Sequence, residues 1–125
     1  MTTFGPYPAT VVSIHDGDTI TLAIDLGFDI TATERCRIFG INAPELATQA
    51  GKDALAFAQT KVHPGDPVTV SSKGWDKYGG RFDGVIRLAN GEDFANVMLV
   101  NRHTIPMPAM ASQDRLTAYE LPPRA

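Results

Sequence analysis

The stretch DITATERCRIFGINAPELATQAGKDALAFAQTKV, residues 29–62, is where this chain changes from strand pattern to helix pattern. Residues 29–41 read as a strand, but Ile30, Ala32, Glu34 and Cys36 break the expected alternation, which a bulge would explain. The period changes after Pro44. In residues 51–62, Leu55, Ala58 and Val62 recur at helical spacing with Ala54 beside them. That amphipathic helix ends at His63-Pro64-Gly65.

Two strands precede the switch. Residues 10–14 (TVVSI) are β-branched, and Asp16-Gly17 is a turn signal. Residues 18–25 (DTITLAID) place Ile20, Leu22 and Ile24 on one face, a half-buried strand that Gly27 ends. Two strands follow the helix, over 67–72 and 82–88, joined by the Gly-rich KGWDKYGG. After the Asn90-Gly91 turn, residues 93–101 read as a short helix with Phe94, Val97, Met98 and Val100 inward. Three strands, a helix, two strands and a helix is the order of a five-stranded OB-type barrel, mainly β with helices (α+β). An α+β sheet with one covered face is the alternative. The division expected is an N-terminal arm over 1–9, one barrel domain over 10–108 and an irregular tail over 109–125.

A chain of 125 residues suits one domain, and 43% hydrophobic against 20% charged residues excludes a disordered chain. No apolar run is long enough for a membrane-spanning helix, and no signal peptide is visible. The cytoplasm is the favoured compartment, with a phage-encoded source as one origin that fits. Cys36 is the single cysteine, which excludes an internal disulfide and a thiolate zinc cluster. The net charge of −3 does not favour nucleic acid by simple attraction. Its distribution is uneven: Asp16, Asp18, Asp25, Asp29 and Glu34 precede every Lys and Arg.

Four groups of residues bear on chemistry. Asp16-Gly17-Asp18 sets two carboxylates beside a glycine, suited to a hard cation, although a solvated hairpin turn has the same pattern. An EF-hand is excluded, because Ile20, Thr21 and Gly27 stand where that loop needs a ligand, a glycine and a glutamate. Arg37 to Glu45 carries an arginine off the apolar face and a glutamate behind a stiffening proline. Asp76-Lys77-Tyr78-Gly79-Gly80-Arg81 offers phosphate donors and an aromatic ring in a loop that is equally readable as a charged hairpin turn. His15, His63 and His103 have no metal-ligand spacing and read as surface or packing residues.

In this order, V-x-x-x-D-G-D-T (Val12 to Thr19), RIFGINAPE (Arg37 to Glu45), DKYGGR (Asp76 to Arg81) and ANVMLV (Ala95 to Val100) resemble the staphylococcal nuclease (thermonuclease) family. The resemblance runs from about residue 10 to residue 105. It implies a metal-dependent nuclease that hydrolyses phosphodiester bonds of DNA and RNA, preferably single-stranded, with low sequence specificity. It implies Ca²⁺ as cofactor, with Mg²⁺ or Mn²⁺ as alternatives, and a monomer without a membrane partner. By position, Asp18, Asn42 and Ala43 match metal ligands, the last through its carbonyl. Arg37, Glu45 and Arg81 match the catalytic groups, Lys77 and Tyr78 a substrate-binding pair, and Asp16 a supporting carboxylate.

Three features depart from the family pattern. Asn42 stands where a carboxylate is usual, an extra glycine precedes Arg81, and the segment after Glu45 is too short for the family's lysine-rich loop. Arg87 is a second choice for the Arg81 role. A non-catalytic OB-fold module binding nucleic acid or a protein partner, and a hydrolase of small nucleotides, are the competing readings.

Overall fold

The computed structural model describes residues 3–107. It contains strands β1 (Phe4–Asp16), β2 (Thr19–Asp25), β3 (Thr31–Ile38) and β4 (Ile41–Asn42), helix α1 (Gln49–Lys61), strands β5 (Pro67–Trp75) and β6 (Phe82–Arg87), helix α2 (Phe94–Val100) and strand β7 (Ile105–Pro106). Five strands close a barrel in the order β1-β2-β3-β6-β5. All of its pairings are antiparallel except β3 with β6. This is the OB-type barrel expected from the order of elements. The short β4 pairs with β7 outside it, so α1 still follows the third barrel strand.

Three boundaries differ from the sequence reading. The first strand begins at Phe4, so most of the stretch read as an arm over 1–9 belongs to β1. This long strand pairs with both β2 and β5 and shifts register at Val11/Ser13 and Ile14/Asp16. Bulges of this kind bend a strand enough to serve two neighbours. The third strand is not one run with a bulge: β2 and β3 pair without a shift, and a turn at Phe39-Gly40 separates β3 from β4. Gly40 takes a φ of 86°, which glycine adopts without steric penalty. The stretch read as a tail, 109–125, lies outside the described residues.

The alternation in β2 has the predicted meaning. Ile20, Leu22 and Ile24 face the interior with Val11, Val68, Val70, Ile38 and Ile86. Burying each such side chain contributes about 1.5–3 kcal/mol before chain entropy is charged. Cys36 is buried among them, its thiol pushed up by lost hydration, which fits a small apolar residue.

Helix α1 starts at Thr48, whose hydroxyl accepts from Gly51 N. Its inward face is Gly51, Ala54 and Ala58, followed by Val62, whereas Leu55 is only half-buried. Helix α2 is capped by Asp93 and buries Phe94, Ala95, Val97, Met98 and Leu99. Leu99 takes the inward place expected of Val100, which is exposed. No helix among the described residues is long and apolar enough to cross a membrane.

Candidate active site

Asp18 lies in the tight turn between β1 and β2, yet it is buried. Gly17 makes this possible. A Cβ there would stand 3.1 Å from the Cβ atoms of Ala43 and Ala54 and 3.3 Å from Met98 Cε. The turn is therefore wedged against the loop after β4 and against both helices. Asp18 Oδ1 accepts from Thr19 Oγ1 at 3.0 Å, and Oδ2 accepts from Ala43 N at 2.8 Å. Asp16 Oδ1 accepts from Asp18 N at 3.0 Å. Lost hydration and the adjoining Asp16 carboxyl push the Asp18 carboxyl up to about 6, against the pull of Ala43 N–H and Arg37.

Arg37 stands opposite Thr19 on β3 and is also buried. Its Nη1 donates to Ile41 O at 3.1 Å and its Nη2 to Asn42 Oδ1 at 2.8 Å. Nη2 lies 3.6 Å from Asp18 Oδ2. The chain reversal at Phe39-Gly40 brings the β4 acceptors back over the arginine. Asp18, Arg37, Asn42 and Ala43 thus form one network drawn from a turn, two strands and a loop.

Arg81 is held apart from this network, by Asp76. In the β5–β6 connection, Asp76 N donates to Arg81 O at 2.9 Å, and Arg81 Nε lies 3.7 Å from Asp76 Oδ2. Gly79 and Gly80 both take positive φ, so the extra glycine is absorbed within the turn. Parallel pairing of β3 with β6 puts Asp83 beside Arg37. Burial and its neighbour Asp76 push the Asp83 carboxyl up to about 6, while the Tyr78 backbone N–H holds Asp76 low. Asp83 Oδ1 is buried without a hydrogen-bond partner among the described residues. Both Arg37 and Arg81 act electrostatically on this carboxyl pair, so the guanidinium groups share one acidic environment.

The remaining predicted residues are less tightly joined. Glu45 is exposed and lines a groove of about 390 Å³ with Asn42, Ala43, Pro44, Arg102 and Thr104. Its carbonyl accepts from Thr48 Oγ1 at 2.6 Å, which ties it to the start of α1 without making it a helix residue. Lys77 Nζ sits 5.1 Å over the Tyr78 ring, and Tyr78 is 79% exposed, so this pair projects from the turn tip. Arg87 donates to Gly91 O at the far end of β6, whereas Arg81 lies beside Asp76. His15 bonds Thr21, His63 meets Asp66, and His103 stacks on Phe57, in accord with surface and packing roles.

Asp83 and Gly51 were not singled out by sequence reasoning. Asp83 lay in a strand as the polar member of an alternating pair, and only its pairing with β3 gives it meaning. Gly51 lay in a helix, where glycine is weakly unfavourable. In the structure a Cβ at Gly51 would stand 1.9 Å from Glu45 O. Neither family models nor curated proteins give a match to this chain.

Proposed function

We propose that this chain is a divalent-metal-dependent nuclease that hydrolyses DNA and RNA phosphodiester bonds with low sequence specificity. The carrying observation is the buried pair of Asp18 and Arg37, with Asn42 bonded to Arg37 at its solvent edge and Arg81 acting on the neighbouring carboxyls. The donor set suits a hard cation. Asp18 and Asp16 supply carboxylate oxygens, and the buried Asp18 carboxyl, short of hydration and beside Asp16, would gain from a neighbouring cation. Among the described residues no three His, Cys, Asp or Glu side chains gather in a metal-holding group. The Asn42 amide oxygen, the Ala43 carbonyl and water would complete the shell.

Such a cation supplies Lewis-acid stabilisation of charge on the phosphate. The protein groups do the rest in this reading. Arg37 and Arg81 hold the phosphate oxygens and stabilise charge that develops on them in the transition state. Glu45, open to solvent at the groove edge, takes the proton from the attacking water. Lys77 and Tyr78 contact a flanking phosphate or base.

A second reading, a non-catalytic OB-fold module, draws support from Asn42, whose amide oxygen is engaged by Arg37. Cleavage of single-stranded DNA with Ca²⁺, Mg²⁺, Mn²⁺ and EDTA separates the two. The nuclease reading expects metal-dependent cleavage that Glu45→Gln slows by about 10²–10⁴-fold without loss of thermal stability. Binding without cleavage in every metal would support the module instead.

A further inference from the structure

Glu34 is the residue that broke the alternation of the third strand, and no bulge in the β2–β3 pairing explains it. It pairs in register with Leu22, which is fully buried, and Cys36 two residues on is buried as well. Directly opposed residues of an antiparallel pair project to the same face. The Glu34 carboxylate therefore points into the barrel among inward apolar residues, and it is half-buried there. No hydrogen bond or ion pair joins it to another side chain among the described residues. A carboxylate on an apolar inner face is a local conflict of the kind that marks a functional position.

The surroundings show what would resolve the conflict. Glu34 lines a pocket of about 330 Å³ at the barrel end, with Phe4, Tyr7, Trp75 and Phe82 among its walls. Among the described residues, Glu34 is the only formally charged one of that lining. Lys73, on β5, is engaged by Thr3 Oγ1 and lies over the Phe39 ring. Phe4 and Trp75 are 53% and 66% exposed, so aromatic surface stays open at the mouth. Barrel mouths are common ligand sites, and this volume suits a small molecule.

We propose that this barrel mouth binds an organic cation, an alkylated or quaternary ammonium group, held by the aromatic walls with Glu34 as its counter-charge. Aromatic faces attract such cations through the ring quadrupole, and the partly desolvated carboxylate adds to that attraction. A neutral nucleobase would gain the stacking but not the charge. An anion would be repelled by Glu34 and by the net charge of −3. The proposal is independent of the nuclease reading.

Trp75 is the single tryptophan and reports on the pocket by fluorescence, with calorimetry as the second readout. The probes are choline and its neutral carbon isostere, 3,3-dimethylbutanol. Choline should bind saturably and at least about tenfold tighter than the isostere. Glu34→Gln should weaken choline by about tenfold while leaving the isostere unchanged. Phe4→Ala, at an exposed wall position, should weaken choline without unfolding the barrel. A trimethyllysine peptide run beside choline tells a protein side chain from a free small cation as the source. Equal binding of choline and isostere, no choline binding, full choline affinity in Glu34→Gln, or a nucleoside bound in preference to choline would each overturn the proposal.

Discussion

Asn42 presents its amide oxygen to Arg37, 2.8 Å away, while its side chain stays open to solvent. A carboxylate in the same place would keep that hydrogen bond and add a charge beside the proposed cation. Asn42→Asp should therefore tighten calcium by roughly 1–2 kcal/mol, the part of the added attraction that survives desolvation. Calorimetric titration of both proteins at equal ionic strength checks it, and equal affinities would remove Asn42 from the metal.

Asp83 leads to a prediction about pH. Its carboxyl is pushed up to about 6 in the folded protein, above its value in the unfolded chain. As pH rises between about 4 and 6, the unfolded chain loses this proton first, so folding loses stability across that window. Asp83→Asn removes the penalty and should raise Tm at pH 7 but change it little at pH 4, as thermal unfolding at the two pH values would show. A gain that is equal at both would mean that the buried charge is not its cause.

At the scale of elements, α1 sets the position of the loop that carries Glu45. The helix begins against the backbone of that loop, and Gly51 leaves no room for a methyl group between them. Gly51→Ala improves intrinsic helix propensity by about 0.8–1.0 kcal/mol. The clash with Glu45 O should outweigh that gain and give a net loss of about 1–3 kcal/mol. Denaturant unfolding measures the loss, and cleavage should fall with it because Glu45 moves. A stabilised, fully active variant would show that the loop does not depend on the helix.

The element scale also shows where periodicity is a sufficient guide. The alternation of Ile20, Leu22 and Ile24 translates directly into a buried face, whereas of the helical set Ala58, Val62 and the adjoining Ala54 are buried and Leu55 is only half-buried. The exchange of Val100 for Leu99 in α2 is different. In a helix of seven residues many positions are apolar, and the neighbours choose the face.

For the whole molecule, with a net charge of −3, Arg37, Arg81 and Lys77 are the proposed phosphate contacts. Affinity for single-stranded DNA should fall with log salt at a slope of about −2, given ~0.7 per phosphate contact. Binding measured across a salt series tests this, and a slope several times steeper would reveal a basic surface elsewhere.

Much of this fold was written in local pattern. Residue periodicity distinguishes strand from helix, glycine and proline mark the turns, and Asp18, Arg37 and Asn42 stand in motifs readable in order. Alternation tells which side of a strand is buried because successive side chains point to opposite faces. It does not tell which distant strand will lie alongside. The parallel pairing of β3 with β6 joins residues 36–38 to residues 82–84. That pairing alone sets Asp83 beside Arg37 and closes the barrel so that Glu34 points into an aromatic mouth. Those placements come from long-range closure and shared packing, which only the folded chain as a whole decides.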